Sequence, residues 1–118
     1  MKLTEVTFQA GQPVEGYGPG FFRLGEQAHE GPLLILPGGV VDGWSGLSDT
    51  EALIGARADY DVLLIGVGAE IAPLPGEARR ALDAADIPYD VMGTGPALRT
   101  YNVLLAEERR VALAVLPV

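Results

Sequence analysis

The chain has 118 residues and contains no cysteine and only one histidine. Without cysteine, disulfides, thiolate nucleophiles and zinc–thiolate or iron–sulfur sites are excluded. A serine triad would have to use His29, which lies in a polar segment that we interpret as a solvated turn. From these residue types we expect no catalytic residue, no metal site and no cofactor, and an enzyme is the less favoured class.

Basic side chains are also scarce, since 8 Lys and Arg stand against 16 Asp and Glu, for a formal net charge of −8. This charge repels phosphate backbones, so nucleic acid and anionic membrane surfaces are poor partners. No apolar run approaches the ~20 residues needed to cross a bilayer. The first residues lack the apolar stretch of a signal peptide, and we expect a cytoplasmic protein without membrane insertion.

The remaining composition, 48% hydrophobic and 20% charged, is that of a globular protein, and the length predicts a single domain over residues 1–118. Apolar patterning predicts strands at residues 6–9, 21–24, 33–36, 40–44, 61–66, 88–92 and 111–116. Residues 40–44 are alternatively the return arm of a hairpin. Residues 16–20 form a glycine-rich bend, and we expect a β-hairpin-like region at the N-terminus.

Helices are predicted between these strands, at residues 48–59, 75–85 and 96–110. The first would begin with a capping box in which Ser48 is the cap and Glu51 reaches back to it. Strands that alternate with helices predict an α/β sandwich around one largely buried sheet. Residues 111–116 are apolar at every position, which predicts an internal strand, and residues 61–66 predict another.

Two glycine-bearing junctions, at residues 66–68 and 93–95, are expected to open on the carboxyl edge of the sheet, where α/β proteins tend to bind ligands. The first fails the dinucleotide fingerprint, because Ile71 stands where the third glycine would fall. At the second, Thr94 or Gly95 would cap a helix whose free backbone donors, with Arg99, form an anion site.

A purely structural interpretation of this helix start is favoured over the anion site. Arg99 would then pair with a surface carboxylate, Tyr101 would fill core space and Asn102 would hydrogen-bond a neighbouring loop. Trp44 is open to the same choice, because a lone tryptophan either binds at a surface or buries its large area in a core.

Several of these segments together resemble one known family of small domains. They are Gly16-Tyr17-Gly18, Trp44, residues 61–66 and residues 92–106. The most specific piece is Arg99-Thr100-Tyr101-Asn102 followed by Val-Leu-Leu-Ala, and the resemblance covers almost the whole chain. The family includes the mitochondrial respiratory complex I assembly factor 3 and many bacterial and archaeal proteins of unknown function.

The resemblance implies a three-layer α/β domain with a mixed central sheet of five strands, of which the last is antiparallel to the others. It implies no established enzyme activity, and the mitochondrial relatives act as assembly factors that bind other proteins. This chain departs from the family pattern at Gly93, where an acidic residue is usual, at Pro96, which replaces alanine, and at Leu98, often cysteine.

Two functions follow as hypotheses. In the first, the domain binds another protein, such as a subunit or assembly factor of a membrane complex, through Tyr17, Trp44, Arg99 and Tyr101. In the second, it is an enzyme or metabolite-binding protein that holds a small anion at residues 94–99. The candidate binding residues are Tyr17, Trp44, Thr94, Gly95, Arg99, Thr100, Tyr101 and Asn102. The formation of a homo-oligomer is left open by the sequence.

Overall fold

The computed structural model describes residues 12–118, so the strand predicted at residues 6–9 lies outside the described residues. Within this range the chain forms eight strands: β1 (Gly16–Gly18), β2 (Phe21–Leu24), β3 (Gln27–Glu30), β4 (Leu33–Leu36), β5 (Gly39–Val40), β6 (Val62–Gly66), β7 (Tyr89–Met92) and β8 (Val111–Val115). The α-helices of the same range are α1 (Glu51–Gly55), α2 (Gly76–Ala84) and α3 (Thr94–Ala106).

The main sheet has five strands in the order β5-β4-β8-β6-β7. The predicted mixed five-stranded sheet is therefore confirmed, with the last strand at its centre and β6 also internal. Every residue of β8 is buried, which explains its unbroken apolar run. The expected return arm after β4 is a short one, because only Gly39–Val40 pairs with β4.

The direction implied for the last strand is wrong in part. β8 is antiparallel to β4 but parallel to β6, which in turn is parallel to β7. The reason is the connection between the strands: α2 joins β6 to β7 and α3 joins β7 to β8, and a helical crossover returns the chain in the same direction.

A second sheet precedes the main one, with the antiparallel order β1-β2-β3. The expected N-terminal hairpin is present as β1 and β2, with the glycine-rich bend contributing β1. The solvated turn expected around His29 is wrong, because His29 lies on β3 and its Nε2 is 3.0 Å from the carbonyl oxygen of Pro32. Gly25 and Gly31 take up the turns on either side with φ of 63° and 83°.

Helix boundaries differ from the sequence expectations by a few residues. The Ser48 capping box is wrong, because α1 has Thr50 at its N-cap with no side-chain cap bond. The preceding residues form a turn instead, in which the Asp49 N–H donates to Gly46 O at 2.9 Å. α1 also stops at Gly55 and gives way to a short 3₁₀ helix at Arg57–Asp59.

Two buried clusters lie on opposite faces of the main sheet, and β8 shows this alternation directly. Val111, Leu113 and Val115 join the cluster that contains α3 and the three-stranded sheet. Ala112 and Ala114 join the cluster that contains α1 and α2. The successive side chains of a strand point to opposite faces, so the sheet is covered on both sides and the three-layer arrangement is confirmed.

Candidate functional site

The start of α3 is packed tightly against the end of β6. A Cβ on Gly66 would lie 2.7 Å from Cγ1 of Val115 and 2.9 Å from Cα of Thr94. Such distances are well below van der Waals contact, so only glycine allows the helix to begin this close to the sheet. The two glycine-bearing junctions of the sequence are therefore brought together, as expected for the carboxyl edge of parallel neighbours.

Thr94 joins these two junctions through its hydroxyl and its backbone N–H. Its hydroxyl donates to Leu116 O at 2.7 Å and accepts from the Gly68 N–H at 2.9 Å, while its own N–H donates to Gly68 O at 2.8 Å. The residue is fully buried. It is the first helical residue and not the cap, which is Gly93. Thr94 thus closes the loop after β6 onto the helix and presents no group to a ligand.

Most backbone donors of the predicted anion site are either engaged in hydrogen bonds or absent. The Thr94 N–H is bonded to Gly68 O, Pro96 has no N–H, and the Ala97 N–H donates to Gly93 O at 3.0 Å. Gly95 alone keeps an N–H that is not engaged in this way. The expected row of free donors at the helix start is therefore wrong. An anion bound here would depend mainly on the Arg99 side chain.

Gly95 has a different role, because Tyr17 and Arg99 both approach the position that its side chain would occupy. A Cβ on Gly95 would lie 2.6 Å from the phenol oxygen of Tyr17 and 3.6 Å from Nη1 of Arg99. The missing side chain leaves room for both polar ends. A shallow pocket of about 160 Å³ forms here, lined by Val14, Glu15, Gly16, Tyr17, Gly95, Leu98, Arg99 and Asn102.

Arg99 is exposed in this pocket. The ion pair found within residues 12–118 is at another place, between Arg110 and Asp61 at 2.7 Å, and the hydrogen bond from Arg110 lowers the pKa of the Asp61 carboxyl. The surface-carboxylate partner considered for Arg99 is thus not seen among the described residues. Its guanidinium can give a bidentate contact to a carboxylate of another molecule.

Tyr101 and Asn102 hold the segment that leads into β1. The Tyr101 hydroxyl donates to Gln12 O at 2.7 Å, and the side chain is fully buried. Burial raises the pKa of this phenol far above its ordinary value. The Asn102 amide accepts from the Val14 N–H at 3.0 Å and donates to Val14 O at 2.7 Å. The structural interpretation is confirmed for both, and Tyr101 cannot serve as a surface contact.

Trp44 and Thr100 lie away from the pocket. Trp44 is 5% exposed, packs in the cluster of α1 and α2, and donates its Nε1–H to Asp49 O at 2.8 Å. It is therefore on the opposite face of the sheet from Tyr101, and the expected single surface of these aromatics with Arg99 does not form. Thr100 is half-buried, with its hydroxyl 3.9 Å from Sδ of Met92.

The structure adds Val103 to the candidate residues. Its side chain is 57% exposed, and it follows Arg99 by four residues on α3, which places the two on one helix face. Tyr17, beside Arg99, is 44% exposed. Helical spacing from Arg99 was the signal in the sequence that could have identified Val103. We call Tyr17, Arg99 and Val103 the α3 surface.

Two further properties bear on the class of protein. Among residues 12–118, no group of three or more His, Asp or Glu side chains is placed to hold a metal ion. Within the same range, every helix is too short or too polar to cross a membrane.

The fold and this helix start define a class of small mixed α/β domains with a central five-stranded sheet. Residues 14–116 match the family described as "Protein of unknown function (DUF498/DUF598)", and the chain belongs to this family. It is 43% identical over 117 residues to an uncharacterized protein of Rhodobacter capsulatus, covering 99% of this chain and 94% of that protein.

A more distant relative confirms the resemblance to the assembly factors. The NADH dehydrogenase [ubiquinone] 1 alpha subcomplex assembly factor 3 of Danio rerio is 27% identical over 115 residues. The match covers 92% of this chain and 66% of that protein. Among solved structures, an outer membrane protein from Bartonella henselae superposes with a TM-score of 0.81 and 36% identity, covering 94% of this chain and 98% of that one.

Proposed function

We propose that this domain is a non-enzymatic protein-binding module and that its partner contacts the α3 surface. The observation that carries this proposal is that the Tyr17 phenol and the Arg99 guanidinium both lie close to the position that a side chain on Gly95 would occupy. Aromatic side chains and arginine contribute most of the binding energy at protein interfaces. Here Tyr17 on β1 and Arg99 near the start of α3 both line the same shallow pocket.

The neighbouring apolar side chain supports the same function. Val103 exposes more than half of its surface one helical turn beyond Arg99. An exposed apolar residue on the same helix face as an arginine resembles part of an interface core, where charged residues other than arginine are depleted. The partner that fits offers an apolar side chain to Val103 and a carboxylate to Arg99.

The distant relative supports a particular class of partner. The Danio rerio protein is named an assembly factor of the NADH dehydrogenase [ubiquinone] 1 alpha subcomplex. We infer by analogy that the partner here is a subunit or an assembly factor of a membrane complex, in the bacterial setting of the Rhodobacter capsulatus relative. The cytoplasmic location of this encounter stays a prediction.

The test is affinity capture from the native host with single variants of the surface. Arg99→Ala and Val103→Asp change exposed side chains, so both proteins should fold normally. We expect each to reduce recovery of the same protein by about tenfold, since the loss of a hot-spot contact costs more than 1 kcal/mol. Ala28→Asp, which introduces the same charge at an exposed apolar side chain of β3, is the control.

Direct contact is tested by placing a photo-reactive amino acid at position 103. A cross-link to the captured protein supports the proposal. Capture that is unchanged by both variants, or a cross-link only from other positions, contradicts it.

The alternative, a small anion held by Arg99, is tested by titrating inorganic phosphate. A saturable shift of the Gly95 amide that is lost in Arg99→Ala would favour that alternative.

A further inference from the structure

A second surface lies at the far edge of the main sheet, where, among residues 12–118, β7 has a neighbour on one side only. The hydrogen bonds to β6 come from alternate residues: the Leu63 N–H donates to Pro88 O at 2.9 Å and the Val67 N–H donates to Met92 O at 3.0 Å. In a parallel ladder this alternation turns the N–H and C=O of Tyr89 and Val91 away from β6. Among the described residues, no backbone hydrogen bond engages these outward groups.

An apolar groove runs beside this open edge. It has a volume of about 390 Å³ and is lined by Ile71, Ala72, Pro73, Leu74, Arg79, Tyr89 and Val91. Ile71 is 69% exposed, which makes it the most exposed large apolar side chain among residues 12–118. The groove lies on the α2 face of the sheet, because Tyr89 and Val91 pack against the cluster of α1 and α2.

Alternating side chains of β7 give the two faces of this edge different chemistry. Asp90 pairs with Leu64, which belongs to the α3 cluster, so the exposed Asp90 is on the α3 face. Around the groove, Asp83 accepts a 3.0 Å hydrogen bond from the Tyr89 hydroxyl, and Glu70 precedes Ile71. Two carboxylates thus lie around the groove against one basic side chain, that of Arg79. Acidic residues also outnumber basic ones in the whole chain.

We propose that β7 binds an extended segment of a partner protein in which apolar and basic residues alternate. The segment would add a strand to the sheet and pair with the outward groups of Tyr89 and Val91. Its apolar side chains would enter the groove beside Ile71, and its basic side chains would lie on the other face, next to Asp90. Main-chain hydrogen bonds give affinity here, and the alternation of apolar and basic side chains in the segment gives specificity.

A second copy of the chain fits this edge poorly. The two-fold antiparallel pairing of two β7 strands that uses the outward groups of both Tyr89 and Val91 is centred on Asp90 and places it opposite its own copy. Like charges directly opposite on paired strands are destabilising. Charged residues on edge strands are also a common protection against self-association. The partner segment is therefore one that carries positive charge at this position.

The proposal is tested with the isotope-labelled full chain and two capped peptides, Lys-Val-Lys-Val-Lys and Glu-Val-Glu-Val-Glu. We expect the lysine peptide to shift the Tyr89 and Val91 amides in a saturable manner and to slow their hydrogen exchange. The glutamate peptide should bind at least about tenfold more weakly. Asp90→Lys should reverse this preference, and the side chain is exposed, so the fold should tolerate it.

The groove itself is tested by the uncharged variant Ile71→Ser, which should weaken binding of the lysine peptide by about tenfold because an apolar contact is lost. Val118→Ser makes a similar change at an exposed apolar side chain outside both proposed surfaces and should leave this binding unchanged. The edge proposal is overturned if both peptides bind equally, if Tyr89 and Val91 amides are already protected in the free protein, or if the chain self-associates through β7. None of these outcomes affects partner capture by the α3 surface.

Discussion

Asn102 binds both backbone groups of Val14, 88 residues earlier in the chain. Its carboxamide accepts from the Val14 N–H at 3.0 Å and donates to Val14 O at 2.7 Å, as the backbone of a neighbouring strand would. One residue later, the Glu15 N–H donates to Arg23 O and the antiparallel pairing with β2 takes over. Asn102 therefore ties α3 to the three-stranded sheet and holds Tyr17 in place over Gly95.

This double hydrogen bond predicts a clear stability effect. Asn102→Ala leaves a partly buried N–H and C=O without partners, and we expect the free energy of unfolding to fall by about 1–3 kcal/mol. Asn102→Asp keeps the acceptor, loses the donor and should also destabilise. Urea denaturation measures both, with Arg99→Ala as the exposed control on the same helix. A loss no greater than that of the control would show that the Val14 contact contributes little.

The different burial of Trp44 and Tyr17 predicts opposite outcomes for two aromatic substitutions. Trp44 is 5% exposed, so Trp44→Ala should cost about 3–5 kcal/mol through lost burial and a cavity. Tyr17 is 44% exposed, and Tyr17→Ala should change the free energy of unfolding by much less. Thermal unfolding distinguishes them. A Trp44→Ala protein that melts with the parent would place this side chain outside the core.

Two glycines of the α3 junction should respond differently to alanine. At Gly66 the new Cβ meets the Thr94 backbone at 2.9 Å, which cannot move without shifting the helix. At Gly95 it meets only the phenol end of Tyr17, which can swing away. We expect Gly66→Ala to cost about 1–3 kcal/mol or more and Gly95→Ala clearly less. Equal losses in urea denaturation would contradict this explanation of the junction.

The buried Tyr101 phenol predicts a loss of stability at alkaline pH. Its pKa is raised by burial from an ordinary value of 10.0, so the folded state keeps the proton that the unfolded state releases. This contribution is complete below about pH 10 and is lost as the pH rises toward the folded pKa. Tyr101→Phe removes the bond to Gln12 O and should cost about 1 kcal/mol at neutral pH.

The pH profile of that variant is the decisive measurement. Burial also raises the pKa values of Tyr60 and Tyr89, which are present in both proteins, so the difference between parent and Tyr101→Phe isolates Tyr101. We expect the parent to lose stability more steeply above pH 10, and the two denaturation midpoints to converge. Parallel profiles would mean that Tyr101 ionises as easily in the folded state as in the unfolded one.

Most of the main sheet could be predicted from the sequence, because burial on both faces leaves a direct mark on it. β6 and β8 are short runs in which every position must be apolar, and both lie inside the sheet as expected. β3 was missed for the complementary reason. Its residues Gln27–Glu30 are polar and mostly exposed, and they are extended because β2 pairs with them, which no local pattern records.

The candidate site was predictable in position but not in the use of its side chains. Local patterning placed a helix start after Gly93 and put Arg99 near it, since both depend on neighbours in sequence. Whether Thr94 faces a ligand or Leu116, and whether Trp44 is exposed or buried, depends on contacts across the chain. Tyr17 reaches Gly95 only because two sheets and a helix pack together, so the tertiary structure alone decided which residues form the surface.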